Sequence, residues 1–323
     1  SARTVLNGPE TTGMPFWSIN PYTGCAIGCQ YCYARYAHRY AVERVTASAA
    51  DVSLRQELAD LPPWLAFERR ILVKRNAADA LRLQLRTLHR LPARWKSLRE
   101  NGIGIGTATD PYQPAERRYQ VTRSVLEVLA GYTDIPVSIT TKSPLVTRDI
   151  DVLKRIAECA EVVVHMSLIT ADRELARRLE PRAPTPEARL RAVERLRKAG
   201  IDAGFFIMPV LPGITDVPEA LDVLVKRMAD TDATHIAANA LHLRSTARRR
   251  YLPFIEAEFP ELASRYRNAY AGGYMVSEKY RAGLRSFLEG LCAKHGVRYG
   301  YSSNEEPRAA RRAVVDDQLG LGI

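Results

Sequence analysis

Short apolar runs alternate with amphipathic stretches through the middle of this 323-residue chain. Trp17–Ile19, Ile103–Thr107, Pro136–Thr140, Val162–Leu168, Ala203–Met208 and His235–Leu241 are brief and β-branched or almost wholly apolar. Parallel strands covered on both faces read this way. Between them apolar residues recur at helical spacing: Val121, Val125 and Leu129 within 117–130, and Ile150, Leu153, Ile156 and Ala157 within 148–159. The clearest helix starts at Thr185 as N-cap, with Pro186 in the first position and Glu187 in the first turn. It buries Leu190, Val193 and Leu196 and stops at Gly200. Another starts at Asp216 and buries Leu221, Leu224, Val225 and Met228. Six strand–helix pairs predict an α/β fold, a partial (βα)6 TIM-like barrel, because βαβ crossovers keep one hand and wrap the sheet. An open barrel leaves a lateral mouth for a bulky substrate.

Two stretches break the rhythm. Residues 47–100 read as an insertion after the first helix, with Pro62-Pro63-Trp64, a strand at Arg70–Lys74 and a helix near 77–90. Residues 242–323 read as a mainly helical C-terminal extension, with a late strand at Val297–Tyr299 and a charged, loose tail after about 303. The predicted organisation is a barrel over 1–241, holding the 47–100 insertion, and the extension over 242–323 placed to cover the barrel mouth.

Charge adds a partner class. The net charge is +11 and unevenly spread. Residues 1–100 carry +7 (15 basic, 8 acidic), 101–240 carry −1 (18 basic, 19 acidic) and 241–323 carry +5 (14 basic, 9 acidic). Arg69-Arg70 with Lys74-Arg75, Arg248-Arg249-Arg250 and Arg311-Arg312 are the local peaks. Basic ends favour phosphates and hence nucleic acid; the competing reading is an Arg-rich surface that is merely solvated. No stretch approaches the ~20 apolar residues of a membrane span. The beginning of the sequence lacks a basic-then-apolar signal pattern. With five cysteines and no such pattern, a disulfide framework is not expected. A reduced, cytoplasmic setting and a monomer are.

The strongest chemistry sits in the run Asn20–Arg35, where Cys25, Cys29 and Cys32 stand as C-x3-C-x2-C. Three thiolates can hold three irons of a [4Fe–4S] cluster, which normally has four protein ligands. The fourth iron then stays open to the amino and carboxylate groups of S-adenosylmethionine (SAM). Passing an electron to the sulfonium gives a 5′-deoxyadenosyl radical, so the hard chemistry belongs to the cofactor. A structural zinc site would need a fourth Cys or His beside a second pair. The nearest histidine, His38, lies in an apparent helix with Tyr36, Ala37 and Tyr40 and reads as packing or surface.

Beyond the cysteine loop, the chain resembles the radical SAM group that includes spore photoproduct lyase and DNA repair photolyase-like relatives. Thr109–Pro114, Thr140–Ser143, Met166–Leu168, Leu179–Pro181 leading into Arg189-Leu190, and Ile207–Pro212 carry that resemblance, together with Tyr31 between the second and third cysteines. It spans about Asn20–Leu241. It implies a barrel of the radical SAM type, with Cys25, Cys29 and Cys32 binding the cluster. Tyr31 would meet the adenine through its backbone, Lys142 the methionine carboxylate, Ser167 SAM, and Met208 the adenosine through its backbone. The loop after the second strand, Thr109–Pro114 with Glu116, would face the substrate, and Thr109 or Asp110 on it would accept from the SAM amino group; the competing reading is a proline-stiffened turn capping the next helix. Glu180 with Arg189 would form a polar pair near SAM. The competing readings are a surface lysine for Lys142, a core hydroxyl for Ser167, core packing for Met208 and an exposed helix position for Arg189. Tyr31 and Tyr33 are the candidates for hydrogen transfer, against simple packing. An electron donor such as flavodoxin or ferredoxin is implied as partner.

One departure stands out. The lyase has a hydrogen-donor cysteine at the end of its second strand, whereas residues 107–113 here contain none. Thymine-dimer cleavage by that route is not expected. The spare thiols, Cys159 and Cys292, read as small buried apolar groups, and two cannot hold a second cluster. His165, His235 and His242 read as barrel-lining or core residues. The expected function is reductive SAM cleavage and hydrogen abstraction, with a nucleic-acid base as substrate. The rivals are a small molecule or peptide substrate, and a non-catalytic iron–sulfur sensor, which would have no need of Lys142 and Ser167.

Overall fold

The computed structural model describes residues 2–37, 52, 56 and 60–300. The expectations for His38, Tyr40, residues 47–51, and the tail after 303 with Arg311-Arg312 lie outside the described residues.

The strands are β1 (Leu6–Asn7), β2 (Trp17–Ile19), β3 (Tyr22–Thr23), β4 (Leu72–Val73), β5 (Ile103–Ile105), β6 (Val137–Thr141), β7 (Val162–Ser167), β8 (Asp202–Val210), β9 (His235–Ala240) and β10 (Arg298–Tyr299). Eight form one open sheet in the order β1-β2-β5-β6-β7-β8-β9-β10. Among the described residues of this sheet only β1 runs antiparallel, against β2, while β3 and β4 form a separate antiparallel pair. Of the seven parallel strands, β2 and β5 to β9 are those expected from the apolar runs, within two residues at each end. Their composition explains the placement: β5 and β7 are buried at every position, as strands with covered faces must be. Along β8 and β9 the register shifts between Ile207 and Val210, where Pro209 has no N–H to donate to the ladder.

Helices cover the outer face. Val125 and Leu129, Leu153 and Ile156, Leu190, Val193 and Leu196, and Leu221, Leu224 and Met228 pack with Ile139, Val164, Phe205 and Ile207 of the sheet in one core. The second half of the insertion, helices Ala77–His89 and Pro92–Asn101, belongs to this layer, with Leu81, Leu85 and Leu88 buried in the same core. Three helices of the extension, Ser245–Glu258, Ala263–Ala269 and Glu278–Lys294, follow β9. The first two, with the residue just after the second, bring Tyr251, Tyr266 and Tyr270 into a second apolar cluster that also contains Cys25, Ile27, Cys29 and Tyr31. The third buries Leu288, Leu291 and Cys292 in the main core. Among the described residues no helix is long and apolar enough to cross a membrane.

Several local expectations change. The 117–130 helix is two helices, Pro114–Tyr119 and Val121–Leu129, broken at Gln120 in the left-handed region (φ 48°). The buried Glu116 carboxylate accepts from the Thr122 and Arg123 amides at 2.9 and 3.2 Å, so a side chain caps the second helix. The segment before 150 is a 3-10 turn, Pro144–Asp149, preceding a helix over Ile150–Ala157. The Asp216 helix begins at Pro218 instead. Asp216 accepts from Gly213 N at 2.7 Å and from Tyr280 Oη at 2.7 Å. Cys159 is exposed, not buried, because the helix ends at Ala157 and the chain turns before the next inward position. Cys292 is buried as expected.

His165 and His235 meet inside the sheet, hydrogen-bonded at 2.8 Å. His165 stacks on Phe206, with ring centroids 4.1 Å apart. Gly204 on the intervening strand makes this possible, since a Cβ there would run into the His235 backbone and ring. Burial pushes His165 well down and His235 down to about 4 from an ordinary 6.5. The unfolded chain takes up these protons near pH 6.5 while the folded chain resists until far lower. Stability is therefore full above 6.5 and falls as pH drops toward 4. Denaturant midpoints measured across that window should fall for the native chain and fall less for His235→Asn. Parallel curves for the two proteins would refute the assignment.

Candidate active site

The cysteine loop is clamped from several sides. Gly24 takes φ 89°, and a Cβ there would lie 2.7 Å from the Phe67 carbonyl, so the loop start needs glycine. Beside it Cys25 N donates to Phe67 O at 2.8 Å. Gln113 accepts from Ala26 N at 2.9 Å and donates to Gly24 O at 3.1 Å and to Thr109 Oγ1 at 2.9 Å. Thr109 Oγ1 itself donates to Gly24 O at 2.5 Å. Gln30 N donates to Leu179 O at 3.0 Å. Arg35, fully buried, donates to Cys29 O and to Glu68 Oε2, each at 2.8 Å. The helix Pro63–Arg69, which supplies both Phe67 and Glu68, thus belongs to the support of this loop.

Cys25 and Cys29 are buried and Cys32 is half-buried, and all three are free thiols. Burial, with Asp110 and Cys32 nearby, pushes the Cys25 thiol up to about 12. Burial raises Cys29 too, against the pull of Lys142, and raises Cys32 against Arg35. One loop carries the three sulfurs, and they act on one another's ionisation. Among the described residues no three ligating side chains already converge on a single point. As a donor set, three soft sulfurs on one loop suit an iron–sulfur cluster.

Beside the thiols, Glu180 is a hub. It is 1% exposed. Its carboxylate accepts from Tyr31 Oη and from Arg189 Nη2 and lies 3.3 Å from Lys142 Nζ. Burial works against its charge, but Arg189, Lys142 and the Tyr31 hydroxyl hold it at about 2. Lys142 is correspondingly raised: burial opposes its charge, and Glu180 and Cys29 outweigh that. Its ammonium stands 5.7 Å from the centre of the Tyr31 ring. Arg189 also donates to Ser167 O at 3.0 Å and to Pro184 O at 2.9 Å. Two cations therefore share one carboxylate, leaving one positive charge for an anionic guest.

These contacts decide several readings. Lys142 is no surface lysine, its side chain being 13% exposed. Arg189 is buried, not exposed, since it lies on the inward stripe of the helix Pro186–Lys198 with Leu190, Val193 and Leu196. Ser167 ends β7 and is buried. Met208, near the end of β8, is half-buried and absent from the core cluster. Tyr33 Oη donates to Thr107 O. Thr109 and Asp110 make their bonds within the protein: Thr109 in the loop clamp, and Asp110 accepting from Tyr112 N at 2.9 Å, Thr141 Oγ1 at 2.7 Å and Lys142 N at 2.7 Å. Asp110 thereby fixes the strand end that carries Lys142. Gln113, expected on a substrate-facing loop, instead clamps the cysteine loop, and Arg35 and Glu68 had no expected role. Only Arg35, three residues beyond Cys32, carried a sequence hint, a cation beside thiols.

The radical SAM superfamily profile matches residues 19–224, well over half of the chain. The chain belongs to the radical SAM superfamily. "Uncharacterized protein Rv2578c" of Mycobacterium tuberculosis is 35% identical over 321 residues, covering 99% of this chain and 86% of its own length. "Uncharacterized protein MJ0683" of Methanocaldococcus jannaschii is 26% identical over 217 residues, covering 67% of this chain and 68% of its own. Among solved structures, spore photoproduct lyase complexed with dinucleoside spore photoproduct superposes with a TM-score of 0.60 at 16% identity, over 88% of this chain and 76% of that one. A variant of that lyase with bound AdoMet and the same dinucleoside gives 0.60 at 16% identity, over 89% and 76%. The fold is thus that of the lyase. Membership of the radical SAM superfamily makes this chain a radical SAM enzyme and implies SAM and an iron–sulfur cluster, which the three-thiol loop and the neighbouring cations fit.

Proposed function

We propose that this radical SAM enzyme holds a [4Fe–4S] cluster on Cys25, Cys29 and Cys32 and abstracts hydrogen from a nucleic-acid base. The observation that carries the reading is the adjacency of a three-thiol loop to two cations that share one carboxylate. When bound, the cluster and SAM supply a 5′-deoxyadenosyl radical on reduction by an electron donor such as flavodoxin or ferredoxin. The protein's part is placement. Lys142 receives the methionine carboxylate, and Glu180 keeps that ammonium charged and aimed. Ser167 and the Met208 backbone line the adenosine side, and the Tyr31 backbone faces the adenine. Thr109 and Asp110 act as framework, through the loop clamp and the Lys142 amide. The two tyrosines differ in their partners. Tyr31 donates to the Glu180 carboxylate, whereas Tyr33 donates to the Thr107 carbonyl. Tyr31, with its ring centre 5.7 Å from the Lys142 ammonium, is the hydrogen-transfer candidate beside the residues that would hold SAM. The basic end segments and the fold shared with a lyase solved with a dinucleoside support a polynucleotide substrate.

The test is anaerobic incubation of reduced protein with SAM and oligonucleotides deuterated on their bases. 5′-Deoxyadenosine carrying deuterium is the expected product. Methionine without that nucleoside would end the radical reading; unlabelled nucleoside with every oligonucleotide would end the substrate reading alone.

A further inference from the structure

The C-terminal rim of the sheet carries an open groove of about 480 Å³ beside the site just described. Its floor is the 3-10 turn that follows Lys142, and its walls come from the helix Pro114–Tyr119 and the start of the helix Pro186–Lys198. Arg117, Arg148 and Arg195 line it, with Ser143, Thr147 and Thr185, and among the described residues no carboxylate does. The three arginines are not equivalent. Arg148 is tied to Glu116 Oε1 at 2.7 Å and to Asp149 Oδ1 at 2.7 Å, so its charge is answered within the protein. Among the described residues Arg117 and Arg195 have no ion-pair partner. Two exposed guanidiniums facing a concave surface with hydroxyls between them form a site for an anion, and forked guanidinium donors suit phosphate oxygens best. Leu145 and Pro184 add apolar wall on which a sugar or base can lie.

Position links the groove to the reaction. Ser143 directly follows Lys142, and Pro184 is the residue whose carbonyl accepts from Arg189. The groove therefore shares a wall with the Lys142–Glu180–Arg189 cluster. We propose that it holds backbone phosphates of the single strand on either side of the reacting base, with Arg117 and Arg195 as phosphate contacts. This rests on the polynucleotide reading above and adds the track by which the strand crosses the rim. Contacts of this kind position a strand and carry no sequence preference.

The full-length reconstituted chain should be titrated with a short fluorescein-labelled single strand of DNA at several salt concentrations, by anisotropy. Arg117→Ala/Arg195→Ala should weaken binding about tenfold or more, equally for unrelated sequences. It should also lower the slope of log affinity against log salt by about 1.4, or ~0.7 per lost phosphate contact on a single strand. Arg118→Ala/Arg191→Ala removes the same charge from exposed positions outside the groove and should change little. Equal losses in the two double variants, or an unchanged slope in the first, would overturn the groove while leaving the polynucleotide reading intact. Absence of salt-dependent binding by the native chain would instead overturn the polynucleotide reading, and the groove assignment with it.

Discussion

Glu180→Ala should destabilise the protein by about 3–5 kcal/mol, the usual cost of removing one partner from a buried ion pair. The loss is large because Glu180 answers two buried cations at once. Without it Lys142 and Arg189 face each other across a site that excludes water, and Tyr31 Oη loses its acceptor. Glu180→Gln keeps the shape and an acceptor oxygen and should fall between the two. Urea unfolding of the three proteins checks the order, and a native midpoint for Glu180→Ala would refute the hub. The pH sign follows from the depressed carboxyl. The group's ordinary value is 4.5 and its folded value about 2. Its contribution is fully present above 4.5 and is lost as pH falls toward 2. Mild acid should therefore weaken the His165–His235 pair before it reaches this hub.

Cys29→Ala, reconstituted anaerobically, should bind almost no iron where the native chain binds about four per molecule, and should form no 5′-deoxyadenosine. Two remaining thiols would leave the proposed cluster with too few protein ligands. The protein itself should still fold, because Cys29 contributes its carbonyl to Arg35 through the backbone, which alanine retains. Cys292→Ala, in a buried position outside the loop, is the control and should keep its iron. Native iron content in Cys29→Ala would remove the cluster from this loop. Thiolate formation is part of the argument. Burial raises all three thiols, so the metal must displace their protons, and Lys142 beside Cys29 and Arg35 beside Cys32 ease that step.

The strands were legible because their covered faces leave near-continuous apolar runs, and the helix at Thr185 because its cap, proline and terminal glycine are local signals. The break at Gln120 was not, since the group that caps the next helix, Glu116, looks from the sequence like an ordinary helical glutamate. Arg189 was legible in part, since the resemblance implied its pairing with Glu180 while its helix position alone suggested exposure. An arginine on a helix is expected outside until a buried carboxylate is known to meet it.

By itself the sequence determined the βα order, the three thiols on one loop and the excess charge at the two ends, all properties of residues near one another in the chain. The tertiary structure decided that Tyr31, Lys142, Glu180 and Arg189 form one electrostatic unit, and that Gln113, Arg35 and Phe67 hold the loop. Those groups lie far apart in sequence, and only the wrapped sheet excludes enough water for their charges to fix one another.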